Sequence, residues 1–143
     1  MFKKLEIWNE SIVLIKEIYS VAEKLPQIED YNLKTQLRRA ITSVSLNIAE
    51  GKSRSSAKEF AHFLNTASAS LYEVDAILVI CSELNYINNI ENILKRTKVL
   101  NQKINALRNK LKRIMMNSII SLSSYLLNLL SSTPEWRIRW QHY

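Results

Sequence analysis

The stretch QLRRAITSVSLNIAEGKSRSS, residues 36–56, holds the only glycine of the chain, Gly51, followed at once by Lys52, Ser53 and Arg54. Read as a phosphate-cradling loop, it demands a strand before it and an α/β fold; read as the close of a helix, it leaves the chain all-α. A P-loop carries another glycine five positions before its Gly-Lys-Ser, so that backbone N–H groups can close around phosphate. That position is Leu46, inside a helical pattern, so the loop reading fails on both counts. A helix that ends in the left-handed conformation prefers glycine just past its last turn, because a Cβ is strained there. Gly51 is expected to fill that position, and Gly51→Ala to cost ~1 kcal/mol or more.

The composition leads the same way. One glycine and two prolines in 143 residues leave almost no material for hairpin turns, whereas 47% hydrophobic residues can fill one sizeable core. Long helices joined by few turns use such a chain best.

Apolar spacing then predicts four helices. From Lys3 to Leu25, Leu5, Trp8, Ile12, Ile15, Tyr19 and Ala22 form one stripe, with Ile7, Leu14, Ile18 and Val21 beside it, and Pro26 ends the pattern. A second helix from Tyr31 or Asn32 faces the core with Leu33, Leu37, Ile41, Val44 and Ile48. Its neighbouring row, Gln36, Ala40, Ser43, Asn47 and Glu50, suits close helix approach with hydrogen bonds across it. The third opens with Ser56 and Glu59, a capping-box pair, and keeps strict heptad spacing through Phe60, Leu64, Ala67, Leu71, Val74, Leu78 and Cys81. Cys81, the lone cysteine, belongs to that packed row. The fourth repeats the capping device with Asn88 and Glu91 and runs through Ile90, Ile93, Thr97, Leu100, Ile104, Leu107, Leu111 and Ile114. The expected fold is all-α: an up-down-up-down antiparallel four-helix bundle over residues 1–115, with a C-terminal helical extension over 116–143.

Charge is unevenly placed. Residues 1–88 carry ten Lys/Arg against eleven Asp/Glu, and residues 89–143 carry ten against two. Such a segment reads either as a solvated helix face or as a surface that contacts phosphates. The fourth helix supplies Lys95, Arg96, Lys98, Lys103, Arg108, Lys110, Lys112 and Arg113 against one acid, Glu91.

The run from Ile114 to Leu130 is apolar but includes Asn117, Asn128 and four serines, and it sits at the short edge for crossing a bilayer. A fifth helix, or an extension of the fourth that packs on the bundle or on another subunit, explains it better, and no membrane partner is expected. Ser132 or Thr133 before Pro134 marks a further short turn. There Trp136 and Trp140 interleave with Arg137 and Arg139, either to stack on unpaired bases or to seal the end of the bundle.

No catalytic, metal-binding or cofactor-binding constellation is legible. His62 and His142 are the only histidines, and neither has a partner at triad or metal spacing. Glu50 near Asn47 is read as helix packing. A single cysteine and the charged opening MFKKLEIWNE fit a reducing cytoplasm with no secretory signal.

The segments QLRRAITSVSLNIAEGKSRSSAKEFAHFL and ASASLYEVDAILVICSELNYI, preceded by FKKLEIWNESIVLIKEIY, resemble the bacterial four-helix-bundle family that includes the 23S rRNA intervening-sequence proteins. Asn47, Glu50 and Gly51 of NIAEG are its signature, with Gln36, Arg38 and Arg39 ahead of them, and the resemblance covers roughly residues 2–115. The same family includes the accessory proteins of diversity-generating retroelements, which are basic homopentamers that bind nucleic acid and a reverse transcriptase. The resemblance therefore implies a non-enzymatic homo-oligomer, a pentamer by analogy, that binds RNA or DNA; a reverse transcriptase is the alternative partner. Arg38, Arg39, Lys52 and Arg54 join the fourth-helix cations as candidate contacts. The tail from Met116 is longer and more apolar than the family leads one to expect, and the resemblance implies nothing for it.

Overall fold

The computed structural model describes residues 2–132. Among these there are four α-helices and no strand: α1 (Glu6–Ala22), α2 (Leu33–Ser53), α3 (Ala57–Glu83) and α4 (Glu91–Ser132), with short 3-10 turns at Phe2–Lys4 and Gln27–Glu29. Each helix packs on its neighbours in sequence, and α1 also meets α4. Pairing runs in opposite senses along each contact. The Tyr19 and Thr42 hydroxyls lie 3.4 Å apart, and further along α1 Glu23 pairs back with Arg38; on the next seam Ser70 donates to Ser43 at 3.0 Å. Thr97 donates to Asp75 at 2.5 Å, Ser68 donates to Asn101 at 2.6 Å and Arg108 donates to Asn65 at 2.6 Å, so α4 ascends as α3 descends. This order fits an up-and-down arrangement.

The core follows the predicted spacing most faithfully where a helix is enclosed. Every α3 heptad position from Phe60 to Cys81 is buried, as are Leu37, Ile41, Val44 and Ile48 of α2. Ser56 accepts from the Glu59 N–H at 3.1 Å and its hydroxyl donates to the Glu59 carboxylate at 2.7 Å, so α3 begins at the expected cap. On α1 the buried row is Ile7, Ser11, Leu14, Ile18 and Ala22, while Leu5, Trp8 and Ile15 are half-buried and Tyr19 is exposed. Because α1 touches both α2 and α4, its axis-facing row lies between two apolar stripes, and the expected stripe becomes a flank. Two helix ends also differ from expectation. The α1 spiral tightens into 3-10 bonds from Lys24 and Leu25 before Pro26, which disfavours helix in the residue ahead of it. At α4, Leu94 bonds back to the Ile90 carbonyl and Asn89 takes a left-handed φ of 57°, so Asn88 lies outside the cap.

Gly51 corrects the sequence reading. The α2 helix continues through it to Ser53, and its φ is not positive. A Cβ there would sit 2.7 Å from the Phe63 Cβ and 2.8 Å from the Phe60 ring. Glycine is needed because α2 and α3 cross closely, not because the chain turns left-handed. A buried carboxylate that the sequence pattern does not single out joins the two connections at the opposite end: Glu29 accepts from the Asn32 amide at 3.0 Å and from the Tyr86 hydroxyl at 3.3 Å. Burial, with the Glu29 charge adding to it, pushes the nearby Cys81 thiol up, which suits a packed and unreactive cysteine.

The helix α4 outruns the others. At ~1.5 Å per residue, its 42 residues span ~63 Å, against ~40 Å for the 27 of α3. Thr97, Leu100 and Ile104 are buried and Leu107 and Leu111 half-buried; beyond them only Met115, beside the start of α3, is half-buried, and Ile114 is already 50% exposed. The extension is thus a continuation of α4 that does not pack on its own bundle. Ser132 is still helical, and the expected turn from Thr133, with Trp136, Arg137, Arg139, Trp140 and His142, lies outside the described residues.

Candidate nucleic-acid interface

The eight α4 cations separate by the helix each one faces. Toward α1, Arg96 pairs with Glu17, and Lys103 is held between Glu10 and Glu6, the latter at 2.6 Å. Hydrogen bonds to Glu10 and Glu6 push the Lys103 ammonium above the ordinary lysine value, and the bond from Lys103 holds the Glu6 carboxyl below the usual carboxylate range. Both cations are therefore matched by charge before any ligand arrives. The α1 helix supplies these acids at Glu6, Glu10 and Glu17, positions that follow one side of the helix and run alongside α4.

Away from α1 no such match exists. Among the described residues, Lys98, Lys112 and Arg113 are exposed and form no ion pair, and Arg108 bonds only the neutral Asn65 amide; Lys95, which lines the α1–α4 cleft with Glu10, and Lys110, one heptad past Lys103, are likewise exposed and not ion-paired. The α3 helix faces this side with Lys58, His62 and Asn65, and together with Arg108, Lys112 and Met115 they line an open groove of about 370 Å3. Two lysines and an arginine in one concavity, with no acid among its lining residues, create a positive potential that water and salt alone must balance. Charge counting along the chain does not single out Lys58 and His62 for this site; their spacing of four on α3 puts them on one helical face, which is the signal that could have found them.

The α2 candidates are distributed differently. Arg38 pairs with Glu23 and lies 5.5 Å from the Tyr19 ring centre, and Arg54 pairs with Glu50 and lies 4.9 Å from that of Phe63. Lys52 sits 5.9 Å from the Phe60 ring centre, at the same end of the bundle as Lys58. Arg39 is exposed on the rim of a shallow groove formed with Thr42, Leu46, Asn47 and Glu50. Asn47 itself bonds the Ser43 carbonyl at 2.8 Å and the Ser43 hydroxyl at 3.0 Å, and Ser43 in turn bonds Ser70. Of the signature residues, Gly51 lets α2 and α3 close, Asn47 reaches α3 only through Ser43, and Glu50 pairs with Arg54 at the end of its own helix.

Among the described residues no group of three or more His, Cys, Asp or Glu side chains converges as a metal site. His62 is exposed and edge-on to Phe63, its ring centre 6.0 Å away.

A family model described as 23S rRNA-intervening sequence protein matches residues 3–115, which ends where α4 leaves the bundle. No curated protein matches the chain.

Proposed function

Because the chain belongs to the 23S rRNA-intervening sequence protein family, we propose that it is a non-enzymatic, homo-oligomeric four-helix bundle of up-down-up-down order that binds RNA in the cytoplasm. Its primary contacts are the unmatched cations Lys58, Arg108 and Lys112 of the α3–α4 groove, with Lys98, Lys110 and Arg113 on the outer surface. One observation carries the reading. Carboxylates of α1 neutralise Arg96 and Lys103, whereas no carboxylate meets Lys58, Arg108 or Lys112 around the α3 groove. An ion-paired cation has little to gain from a phosphate, whereas an unmatched one releases bound counter-ions from the RNA when it docks.

Repetition of the groove around an oligomer multiplies the attraction, since a strand held at one groove meets the next at a raised local concentration. The role of reverse-transcriptase accessory, the other branch of the resemblance, uses the same groove for template RNA. A reverse transcriptase gene beside the reading frame selects that role, and an rRNA gene around it selects the first.

The test is binding of a fluorescent structured RNA to the purified full-length chain. Replacing Lys58, Arg108, Lys112 and Arg113 with glutamine is expected to weaken binding by two orders of magnitude or more at moderate salt, at ~1 to 1.4 kcal/mol for each phosphate left without its cation. Equal weakening from replacing Arg96 and Lys103 would refute the assignment.

A further inference from the structure

We infer that the overhanging part of α4 is covered by the same segment of a second copy of this chain. The overhang is exposed along its whole described length: Met116, Ile119, Ile120, Leu122, Leu126 and Leu127 are each between 48% and 68% accessible. Monomeric proteins rarely leave so continuous an apolar surface in water, and such a surface marks an association site.

The spacing identifies the kind of surface that covers it. Met115, Ile119, Leu122 and Leu126 follow steps of four, three and four, the seam of a coiled coil, and Met116, Ile120, Ser123 and Leu127 keep the same rhythm beside it, apolar but for the serine. On the far side Asn117, Ser121, Ser124 and Asn128 repeat the steps again. Two neighbouring apolar rows and an amide-and-hydroxyl row away from them, with Tyr125 and Leu129 at the border, suit a helix with another helix on one side and water on the other. A bilayer fits less well. The segment is long and apolar enough for one by length and composition. A lone spanning helix, however, would turn Asn117 and Asn128 toward hydrocarbon, and among the described residues their side chains make no hydrogen bond.

That the partner is a second copy follows from charge and area. From Ile114 to Ser132 there is no charged residue, so the seam has none of the flanking charges by which coiled coils choose a different partner. At ~100 Å2 for each of the six side chains, one copy offers ~600 Å2 and a pair buries ~1,200 Å2, the lower bound of a stable interface. The segment begins where the family match ends, so this contact adds to whatever association the bundle itself supports. The inference rests on the oligomeric part of the proposed function and not on its RNA part.

The experiment measures the mass of the full-length chain by light scattering in detergent-free buffer across a hundredfold range of concentration. The triple variant Ile119→Glu, Leu122→Glu, Leu126→Glu is expected to fall to a smaller species, with association weakened at least a hundredfold and the bundle's helical signal and melting retained. Ile119→Ser, Leu122→Ser, Leu126→Ser serves if the glutamates prevent folding. The control Asn117→Glu, Ser124→Glu, on the polar half, is expected to keep the wild-type mass. A wild type that is monomeric throughout overturns this inference together with the oligomeric reading. An oligomeric wild type whose mass the triple variant leaves unchanged overturns this inference alone. Flotation of the wild type with phosphatidylcholine–phosphatidylglycerol vesicles, abolished in the triple variant, overturns it in favour of a bilayer.

Discussion

Residues 91–111 and 112–131 belong to one unbroken helix, yet the first half buries Thr97, Leu100 and Ile104 while the second leaves Ile119, Leu122 and Leu126 to solvent. Both halves carry a heptad of apolar side chains, and only the first has α1 and α3 opposite it. Between them the seam changes face: extending the core row past Ile114 in the same rhythm leads to Ser118, Ser121, Tyr125 and Asn128, while the apolar row moves to Met115 and Ile119. The lesson is that periodicity specifies a helix and the width of its sticky face. It does not specify the partner. A shift of phase at the bundle edge is the sign that the partner has changed.

The sharpest way to break this comparison is to truncate one side chain in each half. Ile104→Ala should destabilise the protomer by ~2–5 kcal/mol, because it removes a fully buried side chain and leaves a cavity. Leu127→Ala, measured by denaturant unfolding in a sample dilute enough to keep copies apart, should change stability by less than ~0.5 kcal/mol. Comparable losses would mean that the overhang packs on its own bundle.

A smaller effect is expected at the α2–α3 crossing. In an open helix interior alanine exceeds glycine by ~0.5–1 kcal/mol, but the Cβ of Gly51→Ala meets a Phe63 Cβ that cannot rotate away. A net loss of ~1–3 kcal/mol in unfolding experiments is the overpacking outcome, and a gain would show that the helices can separate without cost.

The smallest effect concerns Asp75. Burial pushes its carboxyl above the usual range, against a lowering hydrogen bond from Thr97. The folded chain then holds this proton more tightly than the unfolded one, so the contribution to stability is fully present below the unfolded value of ~3.9 and is lost as pH rises through the folded value. Asp75→Asn keeps an acceptor for Thr97. It should match or exceed the wild-type melting temperature at pH 7, with the difference closing toward pH 4. A variant that melts lower at pH 7 than at pH 4, relative to wild type, would reverse the sign.

These cases also mark how far the sequence could be read. The helices, the heptad of α3 and the Ser56 cap were legible because each depends on local spacing or on a few neighbouring residues. Gly51 is expected just past the end of its helix and instead lies inside it, since a close crossing is visible only once Phe60 and Phe63 stand opposite it. The cluster of cations on α4 was legible as a total, but its division was not. That Glu6, Glu10 and Glu17 would lie beside Lys103 and Arg96 depends on the order of packing around the bundle, and so does the arrival of Lys58 and His62 beside Arg108.

The division of the α4 cations into matched and unmatched sets is the central claim, and salt dependence measures it most directly. For the wild type, the logarithm of RNA affinity should fall linearly and steeply with the logarithm of salt concentration. Replacing Lys58, Arg108, Lys112 and Arg113 with glutamine should make the slope shallower by ~0.7 to 0.9 for each phosphate no longer neutralised, and replacing Arg96 and Lys103 should leave it nearly unchanged. A flat wild-type response, or two variants with the same slope, would contradict the claim.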